Sequence, residues 1–325
     1  MNIGFLGCSN IAKKAIEALN TIEGVVLYGC SAQSFDRAKK FQEKYCIKKS
    51  YATHEEMLLD SKIDLVYVST LPESHFKDTM LTLKHNKSVI VEKPIATKIE
   101  EVDEILLYSE KHNLYVTEAV IGRYHPARLK IDELISNLQI GNPYNLEANY
   151  SLPIKEVDKN KKIKIDGEIL CDLGIFPIDF CTMFFGYSIK EICSVRTIDR
   201  ENKFDLNNSI NIVYKDGKMA NLYVSSYGLS NKKSYIYGTL GFIEVDNFHN
   251  PKVVKLYKNI SESDSTLIAS FLFEDSVNGY EYEFKKAINE IKNKQIESDC
   301  YTHYQIKKNY EILDKIDKNS LKVEI

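Results

Sequence analysis

The sequence predicts an α/β protein in two parts, a parallel-sheet domain at the N-terminus followed by an α+β domain with a mostly antiparallel sheet. Three observations predict it. Up to about residue 120, short strands rich in Val, Ile and Leu each feed a helical pattern, as in βαβ units whose sheet is covered on both faces. Beyond that point, strand patterns succeed one another across Gly-containing turns, in SINIVYKDGKMANLYVSS at 209–226 and KSYIYGTLGFIEVD at 233–246, a hairpin signal. Helical patterns return at about 275–297 and 301–318.

In order, NIGFLG (2–7) leads into NIAKKAIEALNT (10–21), and VVLYGCS (25–31) into SFDRAKKFQEKY (34–45). After HEEMLLD come IDLVYVST (63–70) and HFKDTMLTLKHN (75–86), then SVIVEK (88–93) and IEEVDEILLYSEKH (99–112), and LYVTEA ends the run at 119. The second part opens with a helix pattern in PARLKIDELISNL, a strand in NPYNLEANYSL, the two hairpins, and a further strand in KVVKLYK. The boundaries are therefore 1–120 for the first domain and 121–325 for the second, the last helices being able to pack back on the first. The polar, Lys-rich stretch 154–166 carries no pattern and reads as a loop over a site.

Composition narrows the function classes. Apolar residues make up 44% and charged residues 27% of the 325, the balance of an ordinary globular enzyme or binding protein. A net charge of -3 gives no reason to expect nucleic acid or an anionic membrane as partner. Cys8, Cys30, Cys46, Cys171, Cys181, Cys193 and Cys300 are odd in number and form no CxxC pair, which argues against a disulfide framework and a Cys-ligated metal. No HExxH or close His pair occurs, so no metal site is expected. The first residues enter a strand without a basic and apolar leader, and no run reaches the roughly 20 apolar residues of a membrane span. A reduced, cytoplasmic protein is the expectation.

The first strand runs through GCSNIA (7–12) directly into a helix. Such a turn brings backbone N–H groups of Gly7, Ser9, Asn10 and Ile11 toward a pyrophosphate. Ser9 stands where the full fingerprint has its second Gly, and Ala12 where a small residue permits helix–strand packing. At the end of the second strand, Ser31, Ala32 and Gln33 occupy the positions where an acid would hold the ribose hydroxyls of NAD. With no carboxylate there, and Arg37 on the next helix, NADP is favoured or NAD and NADP are both accepted. Lys39 and Lys40 read as a solvated helix face.

VIVEKPIA (89–96) raises a sharper question, because an apolar strand stops on Glu92, Lys93 and Pro94. A lysine there either closes a strand before a turn or performs chemistry. Ligands of open α/β sheets bind beyond the carboxyl ends of the strands, where an ammonium can stabilise an alkoxide and exchange its proton.

Several motifs occur in one family's order: GCSNIA, STLPESH (69–75), EKPIA (92–96), EAVIGRYHP (118–126), GEILCDLGIFPID (167–179) and YGTLGFIEV (237–245). On these the chain resembles, over nearly its full length, the glucose–fructose oxidoreductase and inositol dehydrogenase (Gfo/Idh/MocA) family. EAVIGRYHP is most similar to the branch of dihydrodiol and sugar dehydrogenases. The resemblance implies a Rossmann domain followed by an open-faced, mostly antiparallel sheet domain; because an apolar sheet face must be buried somewhere, a homo-oligomer, dimer or tetramer, is expected. It implies that Lys93 contacts substrate and moves a proton during hydride transfer. It implies a catalytic role for Asp172 as well, against the alternative of a helix cap or internal pair. Thr70, Leu71 and Pro72 would pass beside the cofactor, with His75 at the nicotinamide ribose or simply packed. Arg123, Tyr124 and His125 would face substrate, although Arg123 could equally form a salt bridge between domains.

One position departs. Family members usually carry His or Tyr where this chain has Phe176, four residues after Asp172, and phenylalanine neither gives nor accepts a proton. Lys93 then acts alone or with Asp172, or Asp179, Tyr124 or His125 substitutes, or dehydrogenase activity is lost. The leading reading is an NAD(P)-dependent oxidoreductase acting on a secondary alcohol or ketone of a sugar, polyol or nucleotide-linked sugar. The alternative is a dinucleotide-binding protein of the same fold with weak or lost catalysis, serving as metabolite sensor or assembly subunit.

Overall fold

The computed structural model describes residues 1–153, 168–201, 205–274 and 277–325; the Lys-rich stretch 154–166 lies outside them. The chain divides into two compact units, Met1–Tyr124 with Asp275–Lys307, and His125–Glu274 with Lys308–Ile325.

In the first unit, β1 (Asn2–Leu6), β2 (Val26–Ser31), β3 (Lys49–Tyr51), β4 (Leu65–Val68), β5 (Ser88–Glu92) and β6 (Val116–Ala119) form one sheet. Its order is β3-β2-β1-β4-β5-β6, and every pairing is parallel. Strands β4, β5 and β6 are buried along almost their whole length, which is why they read as unbroken apolar runs rather than alternating ones. Helices α1 (Asn10–Leu19), α2 (Phe35–Tyr45), α3 (His54–Leu59), α4 (Pro72–Lys84) and α5 (Ile99–His112) connect them. Ser9, Ser34 and Thr53 cap α1, α2 and α3 by accepting a backbone N–H three residues on. The strand order reverses between β1 and β4, so the crevice at their carboxyl ends is the topological switch point.

The second unit adds α6 (Pro126–Ser136), β7 (Pro143–Ser151), α7 (Glu168–Asp172) and α8 (Ile175–Phe185). There follow β8 (Ile189–Ile198), β9 (Asp205–Tyr214), β10 (Met219–Ser225), β11 (Ser234–Gly238), β12 (Gly241–Val245), β13 (Val253–Asn259) and β14 (Ser265–Leu272). After α9 (Tyr280–Lys292) and α10 (His303–Asn319), β15 (Leu321–Glu324) completes a sheet of order β14-β13-β12-β11-β7-β10-β9-β8-β15. Only β7 with β10 and β8 with β15 pair in parallel. Gly238 is required where β11 turns into β12, since a Cβ there would lie 2.1 Å from the Ile140 carbonyl oxygen. Alternation is clean on β11 and β12, with Ile236 and Ile243 fully buried while Tyr235, Tyr237 and Phe242 lie on the opposite face. There the rings form a ladder, Phe242 stacking on Tyr257 with centroids 4.5 Å apart.

α9 packs on α1 within the first unit, and Phe284 meets Tyr67 of β4 with ring centroids 5.4 Å apart. Among the described residues, no helix is long and apolar enough to cross a membrane.

Candidate active site

The turn from β1 to α1 is built for close backbone approach. Gly7 stands at φ +102, and a Cβ on it would lie 2.8 Å from the backbone of Ser69 and Thr70 after β4. Only glycine meets both demands. Its N–H donates to the Ser31 carbonyl (3.0 Å). Ser9, in place of the fingerprint's second Gly, accepts from Ala12 N (3.2 Å), so it serves as the helix cap. Asn10 is exposed and Ile11 half-buried at the start of α1. Arg37 reaches back from α2, its Nη2 donating to the Cys8 carbonyl (3.0 Å), which places a guanidinium at the turn.

At the end of β2, Ser31 is fully buried. Its hydroxyl lies 2.8 Å from His54 Nδ1 and donates to Met57 Sδ, so it faces α3; burial lowers the His54 pKa. Gln33 is exposed, and no carboxylate occupies positions 31–33. After β4, Thr70 Oγ1 donates to Asp78 Oδ2 (2.7 Å), Leu71 is exposed, and Pro72 opens α4. His75 is buried, with Nδ1 2.7 Å from the Pro94 carbonyl oxygen and Nε2 3.1 Å from that of Thr70. It therefore ties the loop after β4 to the loop after β5.

Lys93 follows β5 and is half-buried, and its bond to Pro94 is cis. The backbone on both sides is fastened by side chains. Glu92 is buried and accepts from the hydroxyls of Tyr67 and of Tyr280 (3.0 Å). The Ile95 N–H donates to Glu118 Oε1 (2.9 Å), whose Oε2 accepts from Tyr301 (3.2 Å). With His75 on Pro94, the neighbours of the lysine on both sides, Glu92, Pro94 and Ile95, are each tied to another element. Glu118, Tyr67, Tyr280 and Tyr301 escaped sequence reasoning. The one available signal was Glu118 itself, a carboxylate inside a buried strand pattern.

Beneath them lies Glu283 of α9, fully buried, with neither carboxyl oxygen hydrogen-bonded among the described residues. Burial, followed by the charges of Glu92 and Glu118, pushes its pKa well above the carboxylate range. Arg123 is also buried, its guanidinium 4.7 Å from the Tyr301 ring centroid. The Tyr124 hydroxyl pairs with Thr117 Oγ1 (2.7 Å) and is held in the neutral form mainly by burial.

In the second unit, His125 caps α6, its Nδ1 accepting from Ala127 N (3.2 Å). Asp172 ends α7 and is half-buried. Asp172 and Phe176, four residues apart, do not share one helix, because α7 ends at Asp172 and α8 begins at Ile175, with Leu173–Gly174 between them. Pro177 lacks the N–H that would bond the Leu173 carbonyl, so α8 starts afresh. Phe176 packs against Tyr150 of β7 at 4.5 Å between centroids and against His249 at 5.4 Å. Asp179 is buried and accepts from Asn309 Nδ2 (2.9 Å). Among the described residues no His, Cys, Asp and Glu group could hold a metal ion.

A glycine-cradled βα turn at the switch point of a six-stranded parallel sheet defines the class, a dinucleotide-binding protein of the doubly wound type. The family follows from comparison with known proteins. Residues 1–120 match the oxidoreductase family with NAD-binding Rossmann fold, Gfo/Idh/MocA, and residues 129–244 match the C-terminal domain of the same family. The chain belongs to the Gfo/Idh/MocA family, and is an NAD(P)-dependent oxidoreductase. Among curated relatives, the trans-1,2-dihydrobenzene-1,2-diol dehydrogenase of Xenopus laevis is 28% identical over 247 residues, 75% of each chain. An uncharacterized oxidoreductase of Rhizobium meliloti is 25% identical, covering 83% of this chain and 81% of that protein. Among solved structures, the 3-ketoreductase KijD10 of Actinomadura kijaniata, in complex with TDP-benzene and NADP, superposes with a TM-score of 0.87 at 17% identity over 100% of this chain and 99% of that one. At that identity the likeness is one of fold.

Proposed function

We propose that the protein moves hydride between NAD(P) and a secondary alcohol or ketone of a sugar, polyol or nucleotide-linked sugar, with Lys93 as the proton-handling residue. The fastening of the Lys93 backbone through Glu92, Pro94 and Ile95 carries this reading, because a catalytic ammonium must be held to within a fraction of an ångström. The dinucleotide, when bound, supplies or accepts the hydride. Gly7, Ser9, Asn10 and Ile11 would present backbone N–H groups to its pyrophosphate, and Gln33 and Arg37 would lie by the adenosine ribose. Lys93 gives its proton to the substrate oxygen in reduction and receives it in oxidation. Asp172 is assigned a substrate hydroxyl. NADP is bound at least as well as NAD, since no acid at 31–33 repels a 2′-phosphate. The reading includes a cytoplasmic homo-oligomer.

Phe176 favours a second reading, a dinucleotide-binding sensor without efficient turnover. One experiment separates the two. Both reduced cofactors are titrated by fluorescence, then single-turnover hydride transfer is followed on a panel of sugars and polyols. The proposal expects NADPH affinity no weaker than that of NADH and turnover of at least one panel member. In Lys93→Met, cofactor affinity should persist while the transfer step slows about 100-fold or more. Tight cofactor binding with no turnover would establish the sensor, and a Lys93→Met protein transferring hydride at the parent rate would remove Lys93 from the mechanism.

A further inference from the structure

Tyr150, next to last on β7, is only 4% exposed. Its hydroxyl makes no hydrogen bond among the described residues, and its oxygen is not sealed from solvent. Buried tyrosine hydroxyls normally find a partner. The combination means that the ring is enclosed while the oxygen stands at its open edge, where a ligand can reach it.

The ring is held on several sides. Phe176 lies against it at 4.5 Å, His249 meets it edge-on at 5.1 Å and Phe248 at 6.0 Å. The Lys232 ammonium sits 5.2 Å from the ring centroid. Lys232 adopts φ +56, a backbone region unfavourable to it. Two hydrogen bonds keep it there, from its N–H to Ser230 Oγ (3.3 Å) and from the Phe248 N–H to its carbonyl (3.1 Å). The structure thus holds one hydroxyl rigidly, beside the very phenylalanine that has none. Burial, and secondarily the charge of Asp172, raise its pKa above the usual tyrosine range. The group keeps its proton and acts as a donor rather than a base.

We propose that Tyr150 donates a hydrogen bond to a substrate oxygen on which negative charge develops, supplying from β7 the hydroxyl that Phe176 lacks. This rests on the oxidoreductase reading above. Tyr150 retains its proton throughout, and its contribution grows as charge builds on the oxygen, so it acts on the transition state more than on binding.

The test compares Tyr150→Phe, and Tyr150→Phe combined with Phe176→Tyr, with the parent protein, on any panel sugar that the parent turns over. Tyr150→Phe keeps the packed ring, so thermal unfolding and NADPH affinity should match the parent. Its single-turnover rate should fall about 100-fold with little change in substrate KM. The double variant returns a hydroxyl to the adjoining ring and should recover at least tenfold of that loss. A Tyr150→Phe rate within twofold of the parent overturns the proposal and leaves the oxidoreductase reading standing. A double variant no faster than Tyr150→Phe assigns the loss to packing and overturns it likewise. A parent that turns over no panel member overturns both.

Discussion

Glu283 shows how much a single residue can reveal about its surroundings. A carboxylate that is fully buried without a hydrogen bond is costly, and the group avoids the cost by keeping its proton. The ionisable groups that interact with it include Glu92 on β5, Glu118 on β6, and the buried hydroxyls of Tyr67, Tyr115, Tyr124 and Tyr280, none of which offers it a compensating positive charge. A folded pKa above the unfolded value means that stability is greatest below the unfolded carboxylate range. It declines as pH rises, until the folded pKa is passed. Glu283→Gln imitates the protonated form at every pH. Thermal unfolding at pH 5 and pH 8 should therefore show the variant gaining on the parent as pH rises. An equal loss at both pH values would mean that Glu283 is ionised and paired. Neither Glu283 nor Tyr150 announces itself in the sequence, where each is one more residue in an amphipathic or alternating pattern. Lys93 did, because Glu, Lys and Pro are contiguous at the end of a run too apolar to be a loop.

Among the elements, the β1–α1 turn is the most tightly specified. Gly7→Ala would put a methyl carbon 2.8 Å from the Ser69 and Thr70 backbone at φ +102, and neither backbone is a flexible tip that can move aside. A cost of about 1–3 kcal/mol is expected from the conformation alone, with further loss from the displaced β4 loop. Chemical denaturation should report it as a lowered midpoint, and NADPH titration as weakened binding. Parent-like values for both would mean that the turn relaxes freely and is no cradle. The regular elements were legible where periodicity was strong: β1, β2, β4, β5 and β6 as buried runs, and the β9–β10 and β11–β12 hairpins from their turn residues. β3 has only three residues at a sheet edge, too short to carry a pattern. The break between α7 and α8 was not legible as a break, since CDLGIFPID stays apolar through it. Pro177 marked it only once the hydrogen-bond ladder was known.

On the scale of the whole molecule, the second unit's sheet leaves an aromatic ladder of Tyr235, Tyr237, Phe242 and Tyr257 on one face. The Glu244 carboxylate beside it takes both Lys233 (3.2 Å) and Lys255 (3.1 Å). The homo-oligomer proposed above would use this face. Light scattering should then give the parent a mass of two or four chains, and Phe242→Glu the 37.4 kDa of one. A parent of single-chain mass would remove the face from consideration.

The sequence by itself determined the fold class, the order of its elements and the position of Lys93, because periodicity and turn chemistry are properties of neighbouring residues. What only the tertiary structure decided is what surrounds that lysine and Phe176. Tyr280 reaches Glu92 across 188 positions of chain, and Tyr301 reaches Glu118 across 183. Tyr150 meets Phe176 through the packing of β7 against α8. Such contacts depend on which elements lie side by side after folding, and no local pattern encodes which of many apolar faces a buried carboxylate or hydroxyl will share.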